Sequence, residues 1–408
     1  MHKILVFAAV MCLLGSAQSF GQNAYIANAL SDDVSVIDTK TNTAIGAPIP
    51  VGNLPWGVAV SPNGTRVYVT NINSGTVSVI DTRTNTAVAT FPAGHNPYGV
   101  AVSPDGARLY VANDNSAAST ITVINAETGA TIAAIPTGNG NGNSTAGVTV
   151  SPDGKKVYAV NLSTGEDAVS VIDAATNAVV ATISTPGKWN AYQAAFLPDG
   201  TKAYLSQTQV SSTAAPVLTV IDVATSTVVD TIVLGNPGGT LVDATDGVVV
   251  SPDGKRVYVV NDLLASGQSF IYSQVSVIDT ATDAIVAAIP INANASAGIS
   301  ITPDGTKLYV INTFANSVTV VDTRTNATTA VIPVGSFPIS AGNFIQPLPR
   351  FAGTPGKANC YGKSVSALVR QYHGLHAAAA ALGFRRVEAL EEAILDFCEK
   401  RDFSEDAR

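Results

Sequence analysis

Trp56-Gly-Val-Ala-Val60, Ser61-Pro-Asn-Gly64, Arg66-Val-Tyr-Val-Thr70, Thr76-Val-Ser-Val-Ile80 and Thr86-Ala-Val-Ala-Thr90 follow one another in a single stretch of the chain. Apolar side chains alternate with small or polar ones, which is the period of a strand with one buried face. β-Branched residues dominate, and they suit a pleated surface. Between the first two apolar runs, Pro62 presets φ and Asn63-Gly64 accepts left-handed backbone, so the chain turns. Asp81-Thr-Arg-Thr-Asn85 turns it again before the last run. The stretch reads as four antiparallel strands.

Working outward, the same phrases recur. Tyr-x-x-Asn or Tyr-x-x-Gln appears seven times, starting at Tyr25, Tyr68, Tyr110, Tyr158, Tyr204, Tyr258 and Tyr309. A Val-Ser-Val-Ile-Asp-like phrase follows each, ending at Asp38, Asp81, Asn125, Asp173, Asp222, Asp279 and Asp322. The Pro-Asp/Asn-Gly turn appears six times, from Pro62 to Pro303. A β-rich repeat of roughly 40–50 residues marks a propeller, one sheet per blade. The missing seventh turn is informative, because the chain enters at Tyr25, already on a second strand. Val334-Gly-Ser-Phe-Pro338 matches Val51-Gly-Asn-Leu-Pro55, which precedes an inner strand. The reading is an all-β fold: a seven-bladed β-propeller over residues 22–346, in which Ile339 to Ile345 form the C-terminal strand that closes the first blade.

These motifs resemble the YVTN family of β-propeller repeats, found in archaeal surface-layer proteins and exported bacterial proteins. The resemblance spans about residues 24–346. It implies the fold and export, and leaves the activity open, since propellers host unrelated functions.

Both ends depart from the repeat. Met1-His2-Lys3, an apolar run from Ile4 to Leu14 and small residues up to Gly21 read as a signal peptide over 1–21, too short to span a bilayer. Nothing after it has transmembrane character. Residues 347–359 are Pro- and Gly-rich and read as a linker. Residues 360–401 read as a helical hairpin, with Val365, Leu368, Val369, Tyr372 and Leu375 on one face of the first helix and Leu390, Ile394 and Leu395 on one face of the second. Cys360 and Cys398 bracket it, and export permits them to form a disulfide. The hairpin is similar to short Cys-bracketed helical modules appended to exported bacterial proteins, which implies a modular attachment or interaction element independent of the propeller.

The chain carries a net charge of −8. Residues 22–349 hold 12 basic and 22 acidic side chains, so clustered phosphate contacts and nucleic-acid binding are excluded.

Strand alternation sorts the connections onto two faces. The first-to-second and third-to-fourth turns share a uniform face. The residue four after each Asp or Asn of the second phrase is always small or polar there: Asn42, Asn85, Gly129, Asn177, Ser226, Asp283 and Asn326. The second-to-third loops and blade connections share a variable face, where spacings lengthen in blades three to six. Variable loops on a rigid scaffold carry binding. Residues preceding the inner strands rim the channel mouth on this face: Trp56, His95, Tyr98, Trp189, Tyr192, Asp243, Asp246 and Phe337. The aromatic ones suit stacking on a sugar or gripping a peptide; capping of the ring's apolar layer is the competing role. Asp243, Asp246 and Asp262, on neighbouring long loops, are a weak Ca²⁺ candidate, against a solvated acidic patch. No cofactor is otherwise implied. The repeated Asn and Asp of the two phrases read as structural, since every blade needs its turns satisfied.

Catalytic constellations are missing. His95 is the one histidine of the propeller, Glu166 the one glutamate beside the variable face and Lys188 the nearby cation. The sequence therefore favours an exported, non-enzymatic propeller, periplasmic, cell-surface or secreted, that binds a protein, glycan or envelope component. The alternatives are a propeller lactonase or hydrolase acting on a small sugar-derived substrate, and a surface-layer or adhesion component. Oligomeric state is left open.

Overall fold

The computed structural model describes residues 22–114, 119–137, 144–162, 167–185, 189–209, 217–234, 241–264, 271–291 and 296–347, and in the tail residues 364–369 with six further helical positions. At some strand ends only the backbone is described, among them Trp189, Asp243 and Asp246. Residues 1–21, expected to be a signal peptide, and Glu166, Lys188, Cys360 and Cys398 lie outside the described residues.

Seven antiparallel blades form a ring. Blade 2 is built from Pro55–Val60, Arg66–Asn71, Thr76–Asp81 and Thr86–Pro92, the four runs read from the sequence. Blades 3 to 7 repeat this order, beginning at Pro97, Ser144, Trp189, Leu241 and Ser296. Blades 4 and 5 are further joined by one pair, Leu162↔Asn190. Blade 1 consists of Asn23–Asn28, Asp33–Asp38 and an outer strand broken into Thr43–Ala44 and Ile49–Pro50.

The C-terminal segment closes blade 1, as the sequence implied. Asn28 bridges Pro338 and Ala24 bridges Ile345. The Tyr25 N–H donates to Phe344 O at 2.9 Å, and the Ile339 N–H to Ala27 O at 2.8 Å. The ladder is interrupted between them, because the Ala27 N–H donates to the Ser340 hydroxyl instead of a carbonyl. Ala341 pairs there with Gly57 of blade 2, so the closing segment grips both neighbours. Phe344 and Ile345 are buried in a cluster with Tyr25, Ile26 and Val58.

Each third-to-fourth turn demands one left-handed residue. Asn42, Asn85, Gly129, Asn177, Ser226, Asp283 and Asn326 all have φ between 51° and 73°. The preceding Asp closes the turn by accepting backbone N–H groups, as Asp81 does from Arg83 and Thr84. The left-handed residue also ties blades together. Tyr25 donates its hydroxyl proton to Asn85 of blade 2, Tyr204 to Asp283 of blade 6 and Tyr309 to Asn42 of blade 1, at 2.7–2.8 Å. Burial pushes the Tyr25 phenol up to about 12. Two residues before the repeat tyrosine, a cation makes a second tie. Arg108 donates to Ala174 O at 2.6 Å, and Lys307 to Thr39 O at 2.6 Å. Lys156 reaches Val223 O, and Lys202 pairs with Asp283 at 2.6 Å.

The Asn of the first phrase is buried and structural. Asn71 donates to Thr76 and Ser78 on the next strand, and Asn312 to Ser317 and Thr319. In the tail, Leu368, Ala378, Leu390 and Ile394 bury one another, with Val365, Leu375 and Val387 packed around them. Val369, which the helical period placed on that face, is 40% exposed.

Candidate functional site

The inner strands of blades 2 to 7 all lose register against their second strands at the same point, near the variable face. The bulged residues are Trp56-Gly57, Tyr98-Gly99, Ala146, Tyr192, Thr245-Asp246 and Ala297-Gly298, and blade 6 carries a second bulge at Asp243. A bulge adds a residue to one strand and re-aims its side chain. The glycines are required by crowding between blades. A Cβ on Gly57 would sit 2.3 Å from Tyr98 O, and one on Gly147 would sit 2.3 Å from Tyr192 O. Blade 5 departs from this rule with Gln193, whose Oε1 accepts from the Val248 N–H of blade 6 at 3.3 Å. A polar side chain there bridges two blades at the mouth. Its signal was present in the aligned repeats, where Tyr192-Gln193 stands against Trp56-Gly57 and Tyr98-Gly99.

Trp56, Tyr98, Tyr192 and Asp246 thus occupy equivalent positions around one mouth. Trp56 and Tyr98 touch edge to face, their ring centroids 5.3 Å apart at 69°, and both are half-buried. Burial, and then the negative charge of Asp114, raise the Tyr98 phenol. The pair presents aromatic surface and one hydroxyl, the combination that suits stacking with a polar anchor.

The other expected residues fall elsewhere. Trp56, Tyr98, Trp189, Tyr192, Asp243 and Asp246 lie within inner strands, not before them. His95 does precede one, and is exposed. The long loops expected to carry Asp243, Asp246 and Asp262 are instead strand extensions, Leu241–Val250 and Arg256–Leu264, whose residues take extra ladder pairs such as Asp262↔Ser273. Asp262 is buried, and its carboxylate accepts from the Ser273 hydroxyl at 2.5 Å and the Ser296 N–H at 3.3 Å. Among the described residues, no three His, Cys, Asp or Glu side chains converge as a metal site. The Asp243 and Asp246 side chains lie outside that description.

Phe337 was expected at the mouth and lies at the seam of blades 7 and 1. It stacks edge to face on Phe314, at 5.6 Å and 75°. Phe314 was not anticipated. It is 65% exposed, and the only sequence signal for it is an aromatic where the equivalent loops carry Leu30 and Asn73. A groove of about 610 Å³ lies away from both places, between the broken outer strand of blade 1 (Ile45 to Pro50) and the Thr84–Ala87 turn of blade 2.

With this geometry established, comparison with known proteins supports a class: a seven-bladed β-propeller. The chain is similar to hydrazine synthase of Kuenenia stuttgartiensis, with TM-score 0.62 and 24% identity over 70% of this chain and 88% of that one. It is also similar to the periplasmic gluconolactonase of Pseudomonas aeruginosa, with TM-score 0.63 and 17% identity over 78% of this chain and 97% of that one. At such identities the likeness is one of fold. No family model and no curated protein matches the chain. Among the described residues, no helix is long and apolar enough to cross a membrane.

Proposed function

We propose that this is an exported, non-enzymatic β-propeller that binds a protein, glycan or envelope component through its variable face, with the helical tail as an attachment module. The observation that carries this reading is the Trp56–Tyr98 pair, set side by side at the channel mouth by bulges repeated around the ring. Export is supported by the N-terminal charged and apolar segment and by the YVTN-like repeats, a resemblance that implies export. The test is capture from envelope extract on the immobilised protein, beside a Trp56→Ala/Tyr98→Ala variant. A partner retained by the wild type and lost by the variant supports the reading. Equal capture by both moves the function away from the mouth.

A second reading, a lactonase or hydrolase, is favoured by the coverage of 97% of the gluconolactonase chain. Metal-dependent turnover of a lactone panel, lost on Asp246→Ala, would establish it; no turnover with any divalent metal would reject it. A third, a surface-layer or adhesion component, is favoured by exposed β-branched residues on the outer edge strands, such as Val180, Val286 and Val331. Light scattering that reports a monomer at all concentrations would reject it.

A further inference from the structure

The seam of blades 7 and 1 presents an apolar patch that the fold holds rigidly. Leu30 is 67% exposed and Phe314 is 65% exposed, although both are large apolar side chains. Phe337 lies beside them: its carbonyl accepts from the Ala29 N–H at 3.0 Å, and the Leu30 N–H donates to Ser336 O at 3.2 Å. Phe337 has φ 56°, a left-handed backbone that a bulky residue adopts only when its surroundings impose it. The constraint is visible, since the Phe337 N–H donates to Asn316 Oδ1 at 2.8 Å. Leu54 (φ 56°), whose N–H donates to Asp32 Oδ1 at 2.8 Å, repeats this geometry at the blade 1–2 seam, so it is a device of the repeat that here fixes the position of the Phe337 ring.

Charge identifies what fits. Asp32, Asp33, Asp114, Asp167, Asp243, Asp246 and Asp262 lie toward the variable face, and no Lys or Arg among the described residues does. All eleven described Lys and Arg of the propeller, from Lys40 to Arg324, lie at the opposite turns or at the strand ends entering from them. Asp32 and Asp33 follow Leu30 directly, so among the described residues the charges beside the patch are negative, which attracts cationic partners and repels anionic ones. A second copy of this chain docked through the same face would bring two such faces together and is disfavoured. The chain's own tail is disfavoured too, because it leaves on the other face: Gln346 donates to Gly64 O, in the first turn of blade 2, at 2.7 Å.

We propose that the Leu30–Phe314–Phe337 patch docks a basic protein segment that inserts an apolar side chain between Phe314 and Leu30. This rests on the variable-face reading above and moves its apolar anchor from the mouth to the blade 7–1 seam. The test uses the purified protein and a short fluorescein-labelled peptide of Lys, Gly and Trp, read by anisotropy. Its companions are a Glu, Gly and Trp peptide and a Lys and Gly peptide without Trp. The Lys–Trp peptide should bind, the other two should bind far more weakly, and affinity should fall as salt is raised. Leu30→Ser/Phe314→Ser should weaken binding about tenfold. Both side chains are exposed, so the fold should be unchanged, which circular dichroism checks. Val88→Ser/Val331→Ser, equally exposed on the outer edges, should bind as the wild type does. Unchanged binding by Leu30→Ser/Phe314→Ser overturns the proposal, as does equal binding of the Glu peptide or no binding at all. Loss on Trp56→Ala alone overturns the patch and leaves the variable-face reading standing; retention in both variants removes both.

Discussion

Replacing Phe344 by Ala tests whether the C-terminal segment is the clasp of the ring. The side chain is fully buried in the cluster that also contains Tyr25, Val58 and Val60, so it packs at once against blade 1 and blade 2. Truncating a buried Phe to Ala costs about 3–5 kcal/mol in lost transfer energy and residual cavity. A whole domain is stable by only about 5–15 kcal/mol, so the loss should be large on that scale. Phe314→Ala is the control, because that ring is exposed and its loss should change stability by no more than about 0.5 kcal/mol. The assay is urea unfolding followed by near-UV circular dichroism and tryptophan fluorescence. The protein has two tryptophans, and Trp56 adjoins Gly57, which bridges Ala341 of the closing segment. Phe344→Ala should lower the midpoint well below both wild type and Phe314→Ala, with both probes moving together. Coincident midpoints for the two variants would refute the clasp, because the closing segment would then be a dispensable strap.

The tie from Tyr25 to Asn85 should appear in a double-mutant cycle of Tyr25→Phe and Asn85→Gly as a coupling of about 1 kcal/mol; glycine keeps the left-handed backbone, so additive effects would show that the hydrogen bond contributes nothing. Burial holds the Tyr25 phenol neutral up to about 12, against an ordinary value of 10.0. Its neutral form is favoured by the fold, so this contribution is complete below pH 10 and is lost as pH rises toward 12. Absorbance near 295 nm should therefore lag behind normal tyrosine titration until the structure unfolds, and ionisation of all tyrosines near pH 10 with dichroism intact would contradict it. Gly57→Ala should destabilise by about 1–3 kcal/mol, since the new Cβ would meet Tyr98 O at 2.3 Å. Gln193→Gly should cost about 1 kcal/mol by leaving the Val248 N–H without its acceptor; a gain in thermal midpoint would mean that Gln193 strains the ring.

The parts legible in the sequence were those where the backbone dictates residue type. A left-handed turn position excludes most side chains, so Asn42, Asn85, Gly129 and their counterparts align by residue type alone. The closing segment was legible for the same reason, through the match of Val334–Pro338 to Val51–Pro55. Spacing failed where it counted residues without knowing their hydrogen bonds. The long intervals after Asn261 and before Asp246 looked like loops, yet Asp262 continues a ladder opposite Ser273. The cation ties were also invisible, since Arg108 or Lys307 at a strand end reads as ordinary solubility until its partner carbonyl on the next blade is known.

The two faces of the ring differ in what their charges are for. On the turn face, cations reach carbonyls and carboxylates of the next blade, as Lys307 reaches Thr39 O and Lys202 reaches Asp283. Those charges are consumed in holding blades together, and their opposite signs cancel at a distance. Among the described residues the variable face carries carboxylates and no cation, and the reach of those charges is limited by the roughly 8–10 Å screening length of ordinary salt. Blade cohesion does not require this arrangement, since the tyrosine and cation ties operate from the other side. A scaffold secured from one face leaves the composition of the other free to follow a partner. The exposed Leu30 and Phe314, costly in water and unused in the core, stand on that face.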